Sequence, residues 1–166
     1  EGEHFERVSG LANIAPQDAK WKISPDRQKL LYFNASLIGI ANLESAKENG
    51  PNQTGFVLDY TDAKLIDVFW HSDSYHLVLL SNRGVEVLEA EPEALPLLLV
   101  NLSKEDANAY YDTRMDALYF LDYQKAADGN LYDNLYKLQL DTRNFVFPEF
   151  IKLKQYEKKP ENKKNP

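Results

Sequence analysis

Two imidazoles and a carboxylate crowd one short stretch of the chain, at His71, Asp73 and His76. An H-x-D-x-x-H spacing offers nitrogen and oxygen donors of the kind that hold zinc and similar divalent ions. Ser72-Asp73-Ser74 reads as a reversal, however, and His76 opens the strand that follows it. Alternate strand side chains point to opposite faces, so the expectation is an ordinary polar turn with no metal and no cofactor.

Carboxylates supply the next candidates. Asp67, Asp112 and Asp116 would make an acid/base pair of the glycosidase type if the fold brought two of them close together. Asp122, Asp128 and Asp133 surround a loop and offer oxygen ligands of the sort calcium takes, but not at EF-hand spacing. Both sets read first as solvated turn and loop residues. Ser72 lacks the Gly-x-Ser-x-Gly elbow that exposes a nucleophile, and no phosphate-binding glycine loop or dinucleotide fingerprint occurs. No catalytic residue is expected, and the chain reads as a non-enzyme.

Composition narrows the class. Net charge is −7, and the segment 152–166 holds six Lys against two Glu, so the body is more acidic than the total suggests. An acidic body without a basic stripe repels phosphate backbones, and no nucleic-acid partner is expected. Residues 152–166 read as a Lys-rich flexible tail. The apolar run Leu95-Pro96-Leu97-Leu98-Leu99-Val100 is far shorter than the ~20 residues of a membrane helix, so direct membrane insertion is not expected. The absence of cysteine excludes disulfides and thiolate chemistry but leaves the compartment open. A chain that begins at Glu1 is expected to be processed or cut from a longer one. Three glycosylation sequons, at Asn34, Asn52 and Asn101, matter only in a eukaryotic secretory setting.

Positioning these residues falls to a repeat. Ile23-Ser24-Pro25-Asp26-Arg27 returns as Trp70-His71-Ser72-Asp73-Ser74, and more loosely around Tyr111-Asp112-Thr113-Arg114-Met115, each time ahead of an apolar strand. A period of about 40–50 residues whose unit is several short strands marks β-propeller blades, which bury their faces only against neighbours. Alternation and turn residues place strands over 19–23, 29–34, 37–43 and 55–60 in the first unit. In the second they fall over 64–70, 76–81, 85–89 and 95–102. The third takes 107–112, 117–122, 131–140 and 145–151, with 125–130 as an inserted loop. The fold class is all-β, a propeller-like set of about three four-stranded antiparallel blades (about 19–60, 64–102 and 107–151) with a leading strand at 4–8, forming a partial propeller over 1–151. Three blades fall short of the four to eight that close a ring, so an excised part, an oligomer-completed ring or an open arc all remain in play.

The strings Trp21-Lys22-Ile23-Ser24-Pro25-Asp26 and Phe69-Trp70-His71-Ser72-Asp73-Ser74 resemble the Trp-Ser-Pro-Asp-Gly blade signature of TolB-type and WD-like propellers. Asn130-Leu131-Tyr132 and Asn134-Leu135-Tyr136 are similar to the third strand of bacterial surface propellers found behind PEGA-type domains. The resemblance spans about residues 19–151. It departs from the signature at Arg27 and Ser74, which stand where the glycine belongs. It implies a bacterial scaffold or protein-binding module outside the cytoplasm, in the periplasm or at the cell surface, anchored to a membrane through a segment outside this sequence.

Large aromatic residues at Trp21, Trp70, Tyr75, Tyr110, Tyr111, Tyr119 and Tyr123 read by default as packing between blades. Trp70, Tyr75 and Tyr111 sit nearest the turns and are the expected surface binding residues. The expected partner is another protein or another copy of the chain, recognised through turns and blade edges. Two other readings stay open: a carbohydrate-binding or glycan-cleaving propeller, and a self-assembling structural subunit.

Overall fold

The computed structural model describes residues 16–43, 55–61 and 63–140. The proposed strands at 4–8 and 145–151 and the tail 152–166 lie outside the described residues. Among the described residues eleven strands form three sheets, and each sheet follows chain order. The first holds β1 (Lys20–Ile23), β2 (Lys29–Phe33), β3 (Leu37–Asn42) and β4 (Gly55–Asp59). The second holds β5 (Leu65–Trp70), β6 (His76–Ser81), β7 (Gly84–Glu89) and β8 (Leu97–Asn101). The third holds β9 (Ala109–Asp112), β10 (Ala117–Lys125) and β11 (Leu131–Gln139). All pairings are antiparallel, as tight turns between successive strands require. Each sheet is one blade of a propeller-like all-β fold.

Most strand limits match the alternation in the sequence to within a residue or two. The main difference is β10, which runs to Lys125 rather than 122, because the Ala126–Asn130 reversal lets it stay paired with β11 to the Lys125↔Leu131 rung.

The core explains why the blades must stack. In β6 the side chains of Leu77 and Leu79 join a cluster with Leu31, Phe33, Ile38 and Ile40 of the first blade. Val78 and Leu80, pointing the other way, join Tyr111, Leu118, Phe120 and Leu138 of the third. The middle blade is therefore apolar on both faces, as the unbroken run Leu77-Val78-Leu79-Leu80 demands of a strand sandwiched between sheets.

A buried polar contact also joins the first two blades. Glu86 in β7 is fully buried on the face it shares with Leu88, where it accepts hydrogen bonds from the Tyr60 hydroxyl and the Arg83 guanidinium. Burial, together with the hydrogen bond to Glu86, pushes the Tyr60 hydroxyl up to about 12. The neutral phenol thus contributes fully below its unfolded value near 10, and its contribution is lost as pH rises toward 12, amounting to about 3 kcal/mol. We expect urea midpoints to fall between pH 10 and 12, and to fall less steeply in Tyr60→Phe. An equal slope in the two proteins would exclude Tyr60 as the titrating group.

Candidate functional site

The turns that open the second strand of each blade meet in a row along one end of the stack. In the first, the Ser24 amide donates to the Lys29 carbonyl and the Arg27 amide to the Ser24 carbonyl. The second repeats this with the His71 amide on the His76 carbonyl and the Ser74 amide on the His71 carbonyl. Arg27 and Ser74 both take left-handed backbone, with φ of 62° and 59°, as does Asp116 in the third turn at 45°. Arg27 and Ser74 stand at the signature's glycine positions, so the turn shape persists where the glycine is absent, whereas Asp116 falls one position later, directly before β10. A side chain in that region costs roughly 1–2 kcal/mol, offset by the bonds the turn makes.

Asparagine-type capping by carboxylates holds each turn. Asp26 accepts from the Ser24 hydroxyl and the Gln28 amide, and these bonds hold its carboxyl below the usual range. Asp112 accepts from the Arg114 and Met115 amides. Asp73 accepts from the Tyr75 and His76 amides at 2.8 and 2.9 Å and from His76 Nδ1 at 2.6 Å. Burial tends to raise the Asp73 carboxyl, but these bonds outweigh it and hold it down to about 2.

Neighbouring turns are bonded across the blade boundaries. The Asp26 amide donates to Ser74 Oγ at 2.9 Å, and Lys29 Nζ donates to the Ser74 carbonyl. On the other side His71 Nε2 lies 3.2 Å from the Leu140 carbonyl and 3.7 Å from Asp116 Oδ1, while the Tyr111 hydroxyl donates to Asp116. Burial, reinforced by that bond, raises the Tyr111 hydroxyl well above its ordinary value.

His71, Asp73 and His76 come together here, with one donor atom from each lying within 4.8 Å of the others. This corrects the expectation that a reversal would keep them apart. The turn is so tight that Asp73 folds back over its own amides, and face alternation does not apply within a turn. His71, only 2% exposed, is also more deeply held than a polar turn residue should be.

The aromatic residues are sorted by what lies beside them. Trp70 and Tyr111 are turned inward, which corrects their assignment as surface binding residues. Trp70 ends β5 and Tyr111 stands one residue before the end of β9, and both face the blade before their own, Trp70 toward Phe33 and Ile38, Tyr111 toward Val78 and Leu80. Ile23, the equivalent residue of the first blade, is 60% exposed, because among the described residues no other blade packs against that face. Tyr75 lies at the surface beside the His76 ring. Trp21, Tyr110 and Tyr123 are exposed too, although packing was their expected role.

The carboxylate pairs do not assemble. Asp67 is bound to Lys22 at 2.7 Å, whereas Asp112 and Asp116 share one turn and serve different partners there. Asp122 accepts from the Ser103, Lys104 and Tyr123 amides, Asp133 pairs with Lys104, and Asp128 caps the Asn130 turn. Asp122 and Asp133 share Lys104 through its amide and its ammonium, whereas Asp128 serves its own turn. The Glu86 group was missed, although the position of Glu86 between Val85 and Val87, in register with Leu88, is a signal for a buried acid.

No protein-family model matches this chain, and no curated protein matches it in sequence. A chain of the yeast heterotrimeric Nup82-Nup159-Nup116 nucleoporin complex is similar in structure, with a TM-score of 0.59 at 13% identity. The match covers 80% of this chain and 34% of that one, so this chain spans about a third of its length. At that identity the likeness speaks to the fold alone, and it agrees with what the sheets display by themselves: the chain is an all-β, propeller-like stack of blades.

Proposed function

We propose that the chain is a non-enzymatic protein-interaction module whose partner is a further set of blades, supplied by a second copy of itself. One observation carries this reading. Several large apolar side chains are left exposed on the two outer faces of the stack, whereas both faces of β6 in the middle blade are buried and that blade's exposed Leu97 lies on its edge strand β8. On the first blade Trp21, Tyr32, Gly39 and Val57 form one rung across the sheet, and Trp21, Ile23 and Val57 are 45%, 60% and 44% exposed. On the third, Tyr110 pairs with Tyr119 and Leu121 with Leu135, and Tyr110, Leu131 and Leu135 are at least 60% exposed.

These faces carry the same kinds of residue, at equivalent positions, as the faces already packed inside the chain. Ile23 stands where Trp70 and Tyr111 fill an interface, so the outer face of the first blade has the form of a surface that receives another blade. Two copies would bring six blades together, within the range that closes a ring. A bacterial origin, a place outside the cytoplasm and attachment to a membrane through another segment rest on the TolB-type resemblance. The glycan-cleaving reading has no comparable support, since Asp67, Asp112 and Asp116 are each engaged elsewhere.

Light scattering tests the proposal. The expected mass is twice the 19.1 kDa of the chain. Ile23→Lys together with Leu135→Lys, which touch neither internal cluster, should return it to a monomer. A monomeric wild-type chain at concentrations of tens of micromolar would reject self-pairing.

A further inference from the structure

The turn of the middle blade carries a second inference, independent of what covers the outer faces. We propose that His71, Asp73 and His76 bind a divalent transition-metal ion of the zinc class, through Nδ1 of each imidazole and one Asp73 carboxylate oxygen, with solvent completing the shell. The donors lie within 4.8 Å of one another. Ligand atoms about 2.0–2.2 Å from a tetrahedral ion stand roughly 3.3–3.5 Å apart, so small side-chain rotations close the site.

His71 is set up for this role by its own surroundings. Its Nε2 faces the Leu140 carbonyl at 3.2 Å, an acceptor, and must therefore carry the proton. That assigns the lone pair to Nδ1. A histidine whose other ring nitrogen donates to a backbone carbonyl has the tautomer and fixed orientation of a metal ligand. The ring is 2% exposed and wedged beside Tyr111, so it has little freedom to turn away.

The Nδ1 lone pair then meets Asp73 Oδ1 at 3.2 Å, acceptor against acceptor. The Nδ1 lone pair also accepts a long hydrogen bond from the Asp73 amide at 3.3 Å, which a cation would replace. A cation placed between Nδ1 and Oδ1 converts their acceptor-to-acceptor contact into coordination. His76 completes the set, with Nδ1 2.6 Å from Asp73 Oδ2 and a side chain one-fifth exposed, which gives an ion a way in. Its proton moves from Nδ1 to Nε2 when the metal binds. Asp116, 3.7 Å from His71 Nε2, adds negative charge behind the ring. Two nitrogens and one oxygen favour zinc, cobalt or nickel over magnesium or calcium.

Calorimetric titration of the metal-free full chain with Zn2+ tests the site, and Co2+ gives a visible-absorption readout of the coordination. One ion per chain is expected, unaffected by excess Mg2+, with affinity reduced at least about tenfold in His76→Ala and in Asp73→Asn. His76 is partly exposed, so its variant should fold, and circular dichroism checks that it does. His4→Ala, which changes the remaining histidine, should bind as the wild type does. Two results would overturn the proposal. One is binding that persists in both site variants. The other is no binding of Zn2+ or Co2+ to the folded wild type.

Discussion

Alanine at Trp70 is expected to lower the unfolding free energy by about 3–5 kcal/mol, the range found when a large buried aromatic is removed from a packed core. Trp70 is 4% exposed in the cluster that joins the first two blades, and its indole donates to the Lys22 carbonyl at 3.2 Å. The substitution thus empties a volume between sheets and strips a bond from the neighbouring blade. Domains of this kind have about 5–15 kcal/mol in total, so the variant should be close to unfolding at 37 °C. Trp70→Phe retains most of the apolar volume and loses the indole donor, and its deficit should be less than half as large. Urea denaturation followed by far-ultraviolet circular dichroism measures both. A loss below 1 kcal/mol in Trp70→Ala would mean that the first two blades are not held together through this residue.

Methionine at Arg83 should cost about 3 kcal/mol, for a different reason. Glu86 is fully buried, and Arg83, whose side chain is 41% exposed, is its charged partner. Removing one member of a buried pair strands the other charge in a medium that solvates it poorly, at about 3–5 kcal/mol, and the partial exposure of Arg83 sets the loss at the lower end. Leucine at Glu86 in the same chain should recover part of it, because a buried ion pair replaced by apolar groups of similar volume is often neutral while the Tyr60 hydroxyl loses its acceptor. A double-mutant cycle over Arg83→Met and Glu86→Leu reads the coupling directly. Additive losses would show that Arg83 and Glu86 act independently within the second blade.

Local chemistry was legible in the sequence wherever it was decided within a few residues. The first two turns repeated with their capping carboxylates at Asp26 and Asp73, the third took its cap from Asp112 at its first residue, and the strands between them followed two-residue alternation or, in β6, its replacement by a continuous apolar run. Even the missing glycines marked their places, since Arg27 and Ser74 take the left-handed backbone the signature calls for. The candidate site was legible only as a list of residue types. Alternation is a rule for extended strands, and it failed at His71, Asp73 and His76 because a turn folds its side chains back onto its own amides.

The order and antiparallel pairing of the described strands, the blade repeat and the acidic character of the body were thus determined by the sequence alone, because each depends on spacing along the chain or on composition. The fate of an individual face was decided only by the tertiary structure. Ile23, Trp70 and Tyr111 occupy the same position in successive units, yet the first is exposed and the other two are buried. The burial of Glu86 beneath Tyr60 and of His71 against Leu140 belongs to the same class, since both come from contacts between blades. The physical reason is that a sheet has two faces of similar composition, and whether either is covered depends on which other sheet stacks against it, an arrangement that no short stretch of sequence encodes.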